Sequence, residues 1–337
     1  MNDRQTVVAL TQSGSSRRQV CCGAGALLFQ ATAFGQNPKV WRLAWLSPAD
    51  GPGPNHAAFL SRMKQLGYEE GKQFEIEWAW VGSNTAALPA QASRLVQAKP
   101  DLILTQSQIC AQAAQKATST IPIVFVGVRD AVAAGLVRSY ANPGGNLTGV
   151  TLTPSDELVG KLLELLRQLL PMAKRIGVFW NPGVPIQASV VDLLTSKGKV
   201  LGLEVRPMPV KLPGDIERSF GEMVRERVEG LLTLVEWFTL TNRELIARLA
   251  VEYRIPTLFE VKDYVVAGGL LAYGVVYHEH YASAAHYVDK ILKGAKPADL
   301  PVQQPAKLEM IVNRRTARAI GLSIPGAVLV RADELID

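Results

Sequence analysis

Short apolar runs alternate with amphipathic stretches along most of the chain. Arg42 to Ser47 is apolar and ends at Pro48, which predicts a buried strand. A loop rich in Gly and Pro, Pro48 to Asn55, leads into a stretch with Phe59, Met63 and Leu66 at helical spacing, and Gly67 supplies the C-terminal glycine. From Phe74 to Val81, Phe74, Ile76 and Trp78 alternate with Glu75 and Glu77, the period of a strand. The pattern then predicts a helix over Leu88 to Ala98, a strand over Leu102 to Thr105, a helix over Cys110 to Ala117 and a strand over Ile121 to Val126. Strand–helix alternation at this spacing predicts parallel βαβ units with right-handed crossovers. The turn residues of Asn142 to Asn146 mark where the chain is expected to leave a first lobe.

A second series follows. An amphipathic helix, Leu158 to Leu170, stops at Pro171. Strands are predicted over Ile176 to Trp180, Glu204 to Val210, Leu231 to Val235 and Thr257 to Val261. Helices lie between them near Ser189 to Leu201, Ile216 to Arg227 and Asn242 to Tyr253. The two series share residues in the same order. Ile121-Pro122-Ile123-Val124-Phe125, then Val132-Ala133 and Gly135-Leu136, returns 134 residues later as Ile255-Pro256-Thr257-Leu258-Phe259, Val266-Ala267 and Gly269-Leu270. Weaker echoes precede it: Arg42-Leu43-Ala44 with Arg175-Ile176-Gly177, and Leu66-Gly67 with Leu201-Gly202. The expectation is an α/β protein of two similar Rossmann-like lobes with parallel sheets, facing one another across a ligand cleft. Lobe one is expected over 36–150 plus part of 275–337, and lobe two over 151–274. From Gly268 the chain is not expected to repeat: a strand over Leu270 to Tyr273, a helix over His280 to Leu292, a strand over Leu308 to Val312 and a short helix over Thr316 to Ile320 form a tail that ties the lobes together.

Composition adds little: 48% hydrophobic and 20% charged residues are ordinary for a globular protein. The net charge of +6 falls to +4 without residues 1–35, and no basic stripe suggests nucleic acid. Those first residues read as a leader. Arg17-Arg18 precede an apolar stretch from Cys21 to Phe34, and Ala31 to Gln36 offers small residues for cleavage near Gly35, the layout of a twin-arginine signal peptide. Cleavage would leave Cys110 as the one cysteine, with no disulfide available. No further run is long enough to cross a bilayer, so a soluble, exported protein is expected.

In open parallel sheets, ligands sit beyond the carboxyl ends of the strands, where helix N-termini point. That rule selects Ser47, Asn55, Gln106, Ser107, Gly127, Arg129 and Asp130 from the first series. From the second it selects Asn181, Glu236 and Trp237, with Tyr273 after the added strand. Lys262, Asp263 and Tyr277 follow strands in the same way. Glu236-Trp237, an acid beside a large aromatic, suits a ligand with an amine and an apolar body. The four histidines, His56, His278, His280 and His286, have no metal-binding spacing, and no nucleophile elbow or phosphate loop is present. No metal, no cofactor and no catalytic residue are expected. A racemase-like enzyme would need a second thiol opposite Cys110, where Phe238 stands; a sensor's effector domain would need a DNA-binding segment that residues 1–40 do not supply.

Four stretches carry a family resemblance: Ala117 to Val128, Leu66 to Lys72, Asn142 to Gly149 and Val288 to Pro301. On these the chain resembles ABC transporter substrate-binding proteins related to tryptophan- and tyrosine-uptake components. The resemblance implies a type I periplasmic-binding fold with about three interlobe crossovers. It also implies a monomeric periplasmic receptor that closes on a small molecule and delivers it to an inner-membrane ABC permease. Two departures bear on the ligand. Asp130-Ala131 stands where that family has Asp-Pro, and the loop Asn181 to Gln187 lacks the family's acid. Glu236 is then the carboxylate left to hold an amine, and an aromatic or apolar carboxylate is the alternative to an amino acid.

Overall fold

The structure is a computed structural model and describes residues 39–337 except 83, 153–155 and 306. The expected leader, with Cys21 and Cys22, lies outside the described residues. The chain begins with β1 (Trp41–Ser47), α1 (Pro54–Gln65), β2 (Phe74–Trp80), α2 (Leu88–Gln97), β3 (Leu102–Gln106), α3 (Gln108–Ala117), β4 (Ile123–Val128) and β5 (Leu147–Thr151). In β1, Leu43 and Trp45 face one side, Ala44 and Leu46 the other, and all four are buried. A strand with no polar face belongs inside a parallel sheet covered on both sides. The covering follows that parity. Phe59 and Met63 of α1 pack with Leu43 and Trp45, while Leu95 of α2 and Cys110 and Ala114 of α3 pack with Ala44 and Leu46. Burial pushes the Cys110 thiol up to about 12.

The second series comprises α4 (Asp156–Leu169), β6 (Arg175–Trp180), α5 (Pro185–Val200), β7 (Glu204–Pro209), α6 (Pro213–Arg225), β8 (Gly230–Thr233), α7 (Trp237–Thr241), α8 (Arg243–Glu252), β9 (Thr257–Phe259), α9 (Lys262–Val266) and β10 (Leu271–Val275). The tail forms α10 (Tyr277–Leu292), β11 (Leu308–Asn313), α11 (Arg314–Ile320), α12 (Gly326–Leu329) and β12 (Glu334–Ile336).

The first sheet has the order β2-β1-β3-β4-β5. The second, read from β7, runs β7-β6-β8-β9-β10-β11-β12, so its first five strands repeat the first sheet's order. Those five are parallel; β11 runs antiparallel to β10, and β12 parallel to β11. The expected pair of Rossmann-like lobes is present. Its repeat reaches one strand further than the sequence expectation allowed. The chain makes β5 before leaving the first sheet, so the turn at Asn142 to Asn146 does not end that lobe, and β10 takes the matching fifth place although the segment from Gly268 was expected not to repeat. Each fifth strand contains a glycine pressed against its neighbour. A Cβ on Gly149 would lie 2.1 Å from the Phe125 carbonyl oxygen, and one on Gly274 would lie 1.9 Å from that of Glu260.

The chain crosses between the sheets three times: from β5 to α4, from β10 to α10, and from the segment after α10 to β11. Tyr281, Ala284 and Val288 of α10 pack in the same core as α1 and β1 of the first lobe. Residues 300–303 then bond to that lobe through Leu300 O, which accepts from Thr148, and Gln303 N–H, which donates to Gly149 O. β11, α11 and α12 return to the second lobe, where Met310, Val312, Ala317 and Val328 share a core with α4 and α5. Among the described residues no helix is long and apolar enough to cross a membrane.

Candidate functional site

The carboxyl ends of both sheets meet at two adjoining cavities. The larger, about 720 Å³, lies between the first turn of α1 and Gln106 on one side, and α7, α8 and α9 on the other; Tyr277 and His278 close it at a crossing. Its size falls within the few hundred to one thousand Å³ of small-molecule pockets. The smaller, about 50 Å³, is lined by Ser107, Gly127 and Arg129 of the first lobe and by Val184, Gln187 and Glu236 of the second. Trp237 lines both.

Beneath the larger cavity lies a buried polar chain. The Ala49 N–H donates to Ser47 Oγ at 3.0 Å, and Ser47 Oγ donates to Gln106 Oε1 at 2.7 Å. His56 Nε2 stands 3.0 Å from the same oxygen, while its Nδ1 accepts the Gly53 N–H at 3.0 Å. The imidazole sits among Trp45, Trp78, Trp80 and Tyr281, with ring centroids 5.0–5.8 Å away. Burial in that surrounding lowers its pKa, opposed in part by the bonds to Gln106 and Gly53. His56 is therefore neutral near pH 7.

At the smaller cavity an ion pair joins the lobes. Arg129, just beyond β4, reaches Glu260, just beyond β9. Its Nη1 donates to Oε1 at 3.0 Å and its Nη2 to Oε2 at 2.6 Å. Oε2 also accepts the Val235 N–H at 2.5 Å. The repeat brings these residues together: the matching strands Ile123–Val128 and Thr257–Phe259 end opposite one another.

Glu236 is the N-cap of α7, accepting the N–H groups of Phe238 at 2.9 Å and Thr239 at 2.8 Å. Burial raises its pKa, and those two bonds, with one from Asn181, work against the rise. The backbone is strained where it meets the smaller cavity: Ser107 holds φ 85°, ψ 160°, a region nearly reserved for glycine. Among the described residues the Ser107 hydroxyl and Gln108 Oε1 are buried without hydrogen-bond partners.

The expected site residues thus fall into three groups. Asn55, Gln106 and Trp237 line the larger cavity, and Ser107, Gly127, Arg129, Glu236 and Trp237 the smaller. Ser47 lies under the surface as a partner of Gln106. Asp130, Asn181 and Tyr273 line neither. Asp130 accepts Val132 N–H, Ala133 N–H and the Tyr140 hydroxyl within its own loop. Asn181 N–H donates to Gln187 Oε1, and Asn181 Oδ1 accepts from Gly183 N–H, bracing the start of α5. Tyr273 pairs with Met310 in the second sheet and packs against the core under α4 and α5. The sequence reading gave His56, Thr241 and Arg243 no place at the cleft. His56 directly follows Asn55 in the first turn of α1, which was the available signal.

The profile described as "ABC transporter substrate binding protein" matches residues 54–336. The chain belongs to this family. A tyrosine-binding protein of Clostridioides difficile is 29% identical over 280 residues, 82% of this chain and 80% of that protein. A conserved domain protein from Vibrio cholerae superposes with TM-score 0.81 at 30% identity, over 88% of this chain and all of the other. A Streptococcus pneumoniae ABC domain in complex with L-Trp gives 0.80 at 22% identity over the same shares. The ligand-free, open structure of a Clostridium difficile substrate-binding protein gives 0.66 at 26% identity over 88% and 99%. The two lobes with three crossings are the type I periplasmic-binding arrangement, and the cavities described above occupy the gap between such lobes.

Proposed function

We propose that the chain is an exported, monomeric receptor of an ABC importer. It closes its two lobes on an aromatic amino acid or a related aromatic carboxylate, hands it unchanged to the permease in the inner membrane, and loses its leader near Gly35. The observation that carries the reading is the cavity of about 720 Å³ walled by both lobes and closed at a crossing. A ligand held from both sides favours the closed state by whatever contacts it makes there and not in the open one. Trp237, Leu240 and Val266 supply apolar wall on the second lobe, and Asn55 and Gln106 supply polar groups on the first. The relatives that bind tyrosine and L-Trp support the choice of ligand class.

The test is thermal unfolding of purified protein, first unfolded and refolded to remove carried-over ligand, with L-tyrosine, L-tryptophan, L-phenylalanine and their deaminated acids. A dissociation constant near micromolar, about −8 kcal/mol, is expected. At a hundredfold excess over that constant the ligand adds about 2.7 kcal/mol and raises the melting temperature. No shift with any of these compounds overturns the reading.

A further inference from the structure

We infer that the larger cavity contains a carboxylate subsite on the first lobe, formed by the side-chain amide of Gln106 and the N-terminus of α1, with Ser47 and His56 as positioning residues. This rests on the receptor reading above and specifies which end of the ligand the first lobe holds.

The bonding chain fixes which way the Gln106 amide points. His56 Nδ1 accepts the Gly53 N–H, so the ring proton of this neutral imidazole is on Nε2. Nε2–H must therefore donate, and the atom 3.0 Å away must be an oxygen. Ser47 Oγ, already an acceptor for Ala49 N–H, sends its own proton to that same oxygen. Turning the amide over would set Nε2–H of His56 against an NH₂ group, donor against donor. Oε1 is thereby held inward by two donors, and Gln106 Nε2 is the end left for the cavity. The side chain is 3% exposed, lines the cavity, and no hydrogen bond to its Nε2 is present among the described residues. At the cavity wall this amide nitrogen has two N–H donors to offer a ligand acceptor.

The second half of the subsite is independent of Gln106. Gly53, Pro54, Asn55 and His56 all line the cavity, so α1 opens its N-terminus onto it. Its N-cap is glycine, which brings no side chain to the Asn55 and His56 N–H groups, and its first turn has no acidic residue. Backbone donors without a side-chain cap among the described residues, at the positive end of a twelve-residue helix, favour an anion. Two amide hydrogens beside them suit a planar carboxylate better than a single hydroxyl.

Three compounds separate the ends of the ligand: L-tyrosine, tyramine without the carboxylate, and 3-(4-hydroxyphenyl)propanoate without the amine. Binding is followed by tryptophan fluorescence and calorimetry for the full chain, for Gln106→Glu and for His56→Phe. In Gln106→Glu one oxygen still accepts from Ser47 and His56, while the other faces the cavity as an acceptor. The unaltered protein is expected to bind both carboxylates at least thirtyfold tighter than tyramine. Gln106→Glu should cut that preference by more than tenfold, and His56→Phe, which frees the amide to turn, should cut it less. Tyramine binding as tightly as L-tyrosine overturns the inference while leaving the receptor reading standing. So does a preference unchanged in folded Gln106→Glu, or in His56→Phe where the first variant does not fold. Binding of none of the three overturns both.

Discussion

Replacing Glu260 by Gln removes one charge from the interlobe pair and almost nothing from its shape. Both carboxylate oxygens are engaged, by Arg129 Nη1 and Nη2 and by the Val235 N–H. The Arg129 and Glu260 side chains are 7% and 5% exposed, so the small energies of solvent-screened surface pairs do not apply. Removing one partner of such a buried pair costs about 3–5 kcal/mol. The glutamine amide also turns a donor toward either the guanidinium or the Val235 N–H, adding to the loss. Urea unfolding followed by circular dichroism and tryptophan fluorescence should show that decrease for Glu260→Gln, and a similar one for Arg129→Met. The double variant carries neither charge and should cost less than the two singles together, by about 1–3 kcal/mol. Because the pair joins the lobes, each single variant should also weaken ligand binding. A loss below about 1 kcal/mol in the singles, or strict additivity in the double, would refute the reasoning, since either result means the pair is wet or parted in solution.

Two further outcomes are expected. His280 is 5% exposed, its Nδ1 has no partner among the described residues, and burial, with His278 adding, holds its pKa down to about 4. Its folded pKa lies below the unfolded value near 6.5, so the unfolded chain binds the proton first; stability is full above about pH 6.5 and falls by up to about 3 kcal/mol toward pH 4. His56, also lowered, acts in the same direction, and His280→Phe should flatten the dependence in urea midpoints compared at pH 7 and pH 4.5. Gly274→Ala should destabilise by about 1–3 kcal/mol, because the new methyl would press on the Glu260 carbonyl; an unchanged urea midpoint would mean that β9 and β10 have room to part.

The repeated Ile-Pro-x-x-Phe segments made the fold legible because the last three residues of each, Ile123 to Phe125 and Thr257 to Phe259, are buried strand. Strand–helix alternation then placed most of the cleft-facing residues at strand ends. What stayed hidden depended on contacts between distant segments. Arg129 and Glu260 are 131 residues apart, and nothing local distinguishes that arginine from a solvated one. The Asn142 to Asn146 turn looked like an exit because the strand after it, Leu147–Thr151, is short and contains two threonines and a glycine. Tyr273 sat at the expected strand end, but the strand runs on to Val275, which carries the tyrosine back into the sheet. The capping role of Glu236, whose oxygens accept the first backbone N–H groups of α7, was hidden because that single turn is too brief for any periodic signal.

The placement of α10 bears on how the polypeptide matures. Tyr281, Ala284 and Val288 cover the apolar flank of α1, yet more than a hundred residues of the other lobe separate the two helices in the chain. A nascent polypeptide therefore emerges with its leading half unfinished and waits for nearly all of translation before that flank can be sealed. Truncation ahead of Tyr277 would leave the amino-terminal half sticky and prone to aggregate, and neither half can be excised as one continuous piece.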